Sequence, residues 1–166
     1  MDAFQQGLVE LLPRMRRLAR SLCRDAAAAD DLVQQASLRA LSARDQWTPG
    51  TRLDSWVFTI MKRLWIDEGR SRARWTKVLA PAEEGERVAD AAVSSPEQRL
   101  EAARVAEAMA ALPNDQRLAV ALVLVDGLSY REAAEVLEVP VGTLTSRLVR
   151  GRQALLARLE QEGIAP

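Results

Sequence analysis

Between residues 127 and 159 the chain has to form two helices with almost no room between them, and no other stretch restricts its fold as tightly. Ser129 and Glu132 stand at capping-box spacing, which predicts a short helix over residues 130–137. Glu138-Val139-Pro140-Val141-Gly142 reads as a tight turn, and Thr143 as the cap of a second helix running to about Glu160. A short helix, a tight turn and a longer helix form the arrangement that presents the second helix to a DNA major groove.

The second helix divides by face. Leu144, Leu148, Gly151, Leu155 and Leu159 share one stripe at three- and four-residue steps, which predicts packing against the rest of its unit. Glycine within that stripe costs roughly 1 kcal/mol of helix propensity relative to alanine, and a close helix contact at Gly151 would account for it. Thr143, Thr145, Ser146, Arg147, Arg150 and Arg152 supply hydroxyl and guanidinium groups, the types that bond base edges and phosphates. No carboxylate lies between Val139 and Leu159.

The rest of the chain is helical in pattern as well. Hydrophobic residues make up 48% and aromatics 4%, a mixture suited to helices packed on helices. Leu8, Leu11, Leu12, Met15, Leu18, Ala19 and Leu22 predict a helix over about residues 4–23, with Cys23 as a small buried residue at its end. Asp30 is expected to cap a second helix bearing Leu32, Val33, Ala36, Leu38 and Leu41. Trp47-Thr48-Pro49-Gly50 breaks the pattern, and Thr51 or Asp54 is expected to cap a third helix that ends in Arg70, Arg72 and Arg74. Residues 77–94, rich in Ala, Glu, Gly and Pro, read as a linker. Ser95-Pro96-Glu97-Gln98 starts a further helix to about Ala111, and Pro113-Asn114 another, ending near Asp126-Gly127. The expectation is an all-α chain of two small helical domains, 1–76 and 95–166, joined by the linker 77–94.

Composition excludes much else. The chain has no histidine, so the commonest general base and metal ligand are both missing. Its single cysteine rules out an internal disulfide and a multi-cysteine zinc site, and fits a reducing cytoplasm. No phosphate-binding or nucleophile motif is present, and neither an enzyme nor a cofactor is expected. No stretch approaches the roughly 18 apolar residues that span a bilayer, and the N-terminus lacks a signal-peptide pattern. Formal net charge is zero, yet basic residues gather in the first and last parts and acidic ones between them.

In order along nearly the whole chain, these segments resemble the extracytoplasmic-function (ECF) group of sigma-70 family factors. ALPNDQRLAVALVLVDGLSYREAAEVLEVPVGTLTSRLVRGRQAL is similar to sigma region 4, and DDLVQQASLRAL followed by LDSWVFTIMKRLWIDEGRSR is similar to region 2. The resemblance implies a non-enzymatic, cytoplasmic transcription-initiation factor. Region 4 would read the minus-35 element through Thr143, Thr145, Ser146, Arg147, Arg150 and Arg152. Region 2 would dock on the clamp coiled coil of the polymerase's largest subunit through Asp31, Leu32, Gln34, Gln35 and Leu38. Both leucines are equally suited to a core position. The melted minus-10 strand would meet Arg44, Trp47, Arg52, Lys62, Arg63 and Arg70, a set combining an aromatic ring with cations along a backbone. Trp56 and Trp65 read as core. Arg63 stands where the family usually has Asn, and Trp65 where it has a small residue. An anti-sigma partner is expected by the same analogy. Two rival readings are a sigma-like protein that sequesters an anti-sigma factor and a stand-alone helix-turn-helix regulator. The first usually carries a receiver domain, for which 166 residues leave no room, and the second leaves the first 75 residues without a role.

Overall fold

The computed structural model describes residues 1–76 and 95–163, so the linker reading of residues 77–94 lies outside the described residues. Among the described residues there are only helices and connections. Helix α1 (Ala3–Leu22) opens on a capping box in which the Asp2 carboxylate accepts from Gln5 N–H at 2.9 Å, and the Gln5 side chain accepts from Asp2 N–H at 3.1 Å. It runs through Pro13, whose missing N–H leaves the carbonyl of Val9 without its helical donor; Val9 is half exposed. Cys23 is half-buried and sits just beyond the helix as its C-cap.

Helix α2 (Ala26–Ser42) starts earlier than expected. Asp25, not Asp30, is its cap, accepting from Ala28 N–H at 2.7 Å. The four alanines after Asp25 carry helix as readily as any residue type, so the element extends back to the nearest capping side chain. A single 3-10 turn (Arg44–Gln46) leads to the Pro-Gly break, and α3 (Leu53–Thr76) follows. Neither expected cap holds there. Thr51 Oγ1 donates back to the Thr48 carbonyl at 2.6 Å, and Asp54, already inside the first turn, accepts from Ser55 N–H at 2.8 Å.

The second unit begins where expected. Ser95 and Gln98 form a capping box ahead of α4 (Pro96–Ala110). Helix α5 (Asn114–Val120) continues into a widened π turn (Ala121–Val125), closed by Asp126 N–H to the Ala121 carbonyl at 2.9 Å. That extra residue in the turn exposes Leu124 and Val125 while the side chain of Asp126 is fully enclosed. Helix α6 (Tyr130–Leu137) has the predicted Ser129–Glu132 capping box. Its C-cap, Glu138, adopts φ 58°, the only non-glycine at positive φ among the described residues. Helix α7 (Val141–Gln161) begins directly after Pro140, so the turn is shorter than expected and Thr143 lies within the helix instead of capping it.

Packing joins the two units into one continuous core. Phe58, Met15, Leu18, Leu22, Leu32 and Met61 in the first half are buried together with Val120, Leu122, Val136 and Leu144 in the second. Each such large side chain contributes about 1.5–3 kcal/mol on burial. Helix α3 packs against α6, and α1 against the π turn and α4. Gly151 lies where α7 crosses α5: a Cβ there would stand 2.9 Å from Val120 Cγ2 and 3.2 Å from the Gln116 backbone oxygen. The contact expected at that glycine is present.

Candidate nucleic-acid and polymerase interface

The expected recognition surface is on α7. Arg150 and Arg152 are exposed, and among the described residues no carboxylate pairs with either. Arg147 is held closer to the body, its side chain 31% exposed and its Nε 3.5 Å from the Asp115 carboxylate. Thr145 Oγ1 donates to the Val141 carbonyl at 2.8 Å and Ser146 Oγ to the Thr143 carbonyl at 3.0 Å. Both hydroxyl protons are therefore committed to the helix, which leaves the two oxygens as acceptors. Thr143 is half-buried.

On α2 the expected docking set splits by burial. Asp31, Gln34, Gln35 and Leu38 are exposed, Leu38 at 60%, with Gln35 Nε2 donating to Asp31 at 2.7 Å. Leu32 is 1% exposed and belongs to the core, so it cannot meet a partner while the bundle is folded; of the two roles open to it, packing is the one realised. An open groove of about 490 Å³ lies beside this face, lined by Leu12, Arg16, Asp30, Val33, Gln34 and Leu38 among others.

The cations expected at the minus-10 strand are in a different condition. Lys62 is buried at 7% exposure, and its Nζ donates to Glu138 Oε2 at 3.1 Å; Arg63 donates to the other oxygen of the same carboxylate. Arg52 makes a two-pronged contact to Asp54, at 2.5 and 3.0 Å, and also pairs with Glu132 on α6. Arg44 pairs with Asp2 at 2.8 Å and lies over the Phe4 ring. Trp47 packs on Phe4 with ring centroids 5.5 Å apart, and Trp56 meets the same ring edge-on. Trp65 lies under Arg117. Arg70 is exposed near the end of α3.

Three charged groups between the units were not evident from sequence. Arg14 bridges Asp54 at 2.9 Å and the enclosed Asp126 at 2.7 Å. Burial pushes the Asp126 carboxyl upward against the pull of Arg14 and Arg17, whereas at Asp54 burial is outweighed by Arg52, Arg14 and the Ser55 N–H, which hold it at about 2. The two carboxyls share one guanidinium and shift in opposite directions. Arg117 is buried and donates to the carbonyls of Leu22, Ala110 and Leu112, so one side chain satisfies the C-terminal ends of both α1 and α4. Glu138 is held below the usual carboxylate range by Lys62 and then Arg63. A glutamate at a helix-ending position that favours glycine was the one signal in the sequence that could have drawn attention to it.

Comparison with known proteins completes the assignment. The family model for sigma-70 region 2 matches residues 8–75, and that for sigma-70 region 4 matches residues 102–155. The ECF RNA polymerase sigma factor EcfG of Rhodopseudomonas palustris is 37% identical over 164 residues, covering 98% of this chain and 88% of that protein. Among solved structures, the sigma factor RpoE crystallised with the anti-sigma factor NepR from Bartonella quintana superposes with a TM-score of 0.84 at 30% identity, covering 96% of this chain and 98% of that one. CnrH, solved with the cytosolic domain of CnrY, gives a TM-score of 0.71 at 28% identity over 96% of this chain and 88% of that one. Both family models in chain order, with a relative aligned along nearly the full length, show that this chain belongs to the ECF sigma factors of the sigma-70 family and is an RNA polymerase sigma factor.

Proposed function

We propose that this sigma factor works through three surfaces, divided among residues 1–76, a linker 77–94 and residues 95–166. Arg150 and Arg152, with Arg147, Thr143, Thr145 and Ser146, read the minus-35 duplex. Arg44, Trp47, Arg52, Lys62, Arg63 and Arg70 hold the melted minus-10 strand. Asp31, Gln34, Gln35 and Leu38 dock on the clamp coiled coil of the largest polymerase subunit. Sigma factors are generally non-catalytic initiation factors, and this one acts in the cytoplasm by binding and strand separation, with no enzymatic step. Unstacking a base costs a few kcal/mol and capture returns roughly 1–3 kcal/mol per base, so opening is reasonable once polymerase adds its own contacts. The sigma factor RpoE of Bartonella quintana was solved with an anti-sigma factor, and a partner of that class is proposed here too.

The observation that carries the reading is the exposed, carboxylate-free face of α7 bearing Arg150 and Arg152. The test is transcription from a promoter library with purified core polymerase. Initiation at defined sites supports the proposal; no initiation, or tight sequence-specific DNA binding by the isolated chain at physiological salt, contradicts it.

A further inference from the structure

The segment between α2 and α3, which carries Arg44 and Trp47, has few anchors of its own. Its 3-10 turn (Arg44–Gln46) has no side-chain cap, Gly50 stands at φ 87°, and Thr48, Pro49, Gly50 and Thr51 are exposed. The first turns of α1 supply what it lacks. One oxygen of the Asp2 carboxylate accepts from Gln5 N–H at 2.9 Å and caps α1, while the other pairs with Arg44 Nη1 at 2.8 Å. Phe4, 5% exposed, has the Arg44 guanidinium over its ring, Trp47 at 5.5 Å and Trp56 of α3 edge-on at 6.1 Å. Trp47 is half-buried with its indole nitrogen enclosed, so packing on Phe4 decides where the ring stands. Further along α1, Gly7 approaches α3 so closely that an added Cβ would lie 2.9 Å from Leu53 Cδ2. Helix α1 therefore holds the segment at both ends, through Asp2 and Phe4 where it leaves α2 and through Gly7 where it enters α3.

We propose that Phe4 and Asp2 are positioning residues for promoter opening: without touching DNA, they set where Trp47 and Arg44 stand, and so how readily the minus-10 strand is captured. The inference rests on the proposed minus-10 role of Arg44 and Trp47. Capture returns binding energy only when the ring and the cation already stand where the unstacked base and its phosphate arrive. A ring packed on three neighbours and a carboxylate fixed by its own capping bond hold that geometry, whereas an uncapped turn would not.

The test uses the full-length chain assembled with core polymerase on a promoter recovered from the library. A fluorescent base analogue in the minus-10 strand reports opening, and anisotropy reports affinity for core. Phe4→Leu keeps a buried apolar side chain and removes the ring contacts, while Phe4→Tyr keeps the ring. Asp2→Asn keeps a capping oxygen on α1 and removes the charge facing Arg44. Leu11→Ala, buried on the same helix, is the control for lost packing. Phe4→Leu is expected to bind core like the parent and to open the promoter about threefold to tenfold more weakly, Asp2→Asn about twofold more weakly, and Phe4→Tyr like the parent. Equal opening in Phe4→Leu and Phe4→Tyr, or no greater defect in Phe4→Leu than in Leu11→Ala, overturns the positioning. Asp2 is exposed, so its variant stays informative if Phe4→Leu misfolds; opening by Asp2→Asn as strong as the parent's, or stronger, also overturns it. Arg44→Ala and Trp47→Ala separate the two levels. If both open like the parent, the minus-10 reading itself falls; if both are impaired while Phe4→Leu and Asp2→Asn are not, that reading stands and the positioning is wrong.

Discussion

Helices α3 and α7 each carry a row of cations assigned to DNA, and the structure treats the two rows differently. On α7, Arg150 and Arg152 stand in solvent with no carboxylate on their helix nearer than Glu160. On α3, Lys62 and Arg63 are held by Glu138, more than seventy residues away in sequence, and Arg52 by Glu132. A row kept clear of carboxylates is ready for a polyanion, whereas a row already neutralised must first be released. Part of the difference is local, since α3 carries Asp54, Asp67 and Glu68 while α7 has no carboxylate before Glu160, and the rest lies in what tertiary packing brings alongside each helix.

A third use of cations sharpens that contrast, and it carries the largest expected effect. Among the described residues Arg117 meets no carboxylate; its guanidinium serves three main-chain carbonyls and the face of Trp65. Replacing it with leucine leaves those carbonyls without donors inside the protein. Hydrogen bonds to charged groups contribute about 1.5–3 kcal/mol each and are not additive, so Arg117→Leu is expected to lower stability by about 3 kcal/mol or more. Urea unfolding followed by circular dichroism measures it, and a loss below about 1 kcal/mol would mean that water reaches those carbonyls. The α7 row is predicted to behave in the opposite way. Arg150→Ala should leave the unfolding curve unchanged while weakening holoenzyme binding to its promoter by about 1–3 kcal/mol, relaxing specificity at one position if the contact is to a base edge. Promoter affinity equal to that of the parent protein would move the reading face elsewhere on α7.

Gly151 tests whether α7 owes its position to close contact with α5. An added Cβ meets Val120 and the Gln116 backbone at distances that force a shift, so Gly151→Ala is expected to destabilise by about 1–2 kcal/mol despite alanine's better helix propensity. A gain in stability would show that α5 yields easily.

Much of this was legible in the sequence because it depends on neighbours a few residues apart. The capping boxes at Ser95 and Ser129, the stripe through Leu144, Leu148 and Gly151, and the all-α architecture all follow from short spacings. Local reasoning failed where two plausible caps competed. Asp25 displaced Asp30 because the alanines between them extend the helix, and Pro140 displaced Thr143 because a proline that cannot continue a preceding helix can still begin the next. The docking set on α2 needed the bundle itself to separate Leu32 from Leu38, since both lie on a helical apolar pattern and only packing decides which is covered. The pairing of Lys62, Arg63 and Arg52 was out of reach, because nothing within α3 reveals which carboxylates will be packed against it.

The smallest expected effect concerns the guanidinium of Arg14, which joins the two units through Asp54 and Asp126. Asp54 is held at about 2, below the roughly 3.9 of an unfolded aspartate, so its share of the stability is present above about pH 4 and is lost as pH falls toward 2. Asp126 shifts the other way. Burial raises its carboxyl, so its contribution weakens as pH rises from the unfolded value through the folded one. The two slopes lie in adjoining windows, that of Asp126 above the unfolded value and that of Asp54 below it. Asp54→Asn removes that acid limb, so stability between about pH 4 and pH 2 should decline less steeply than in the parent, by at most about one proton in the slope. Urea unfolding at a series of pH values reads that slope directly. An unchanged acid limb in Asp54→Asn would mean that other carboxylates govern acid unfolding, and that the bridge through Arg14 depends on Asp126 alone.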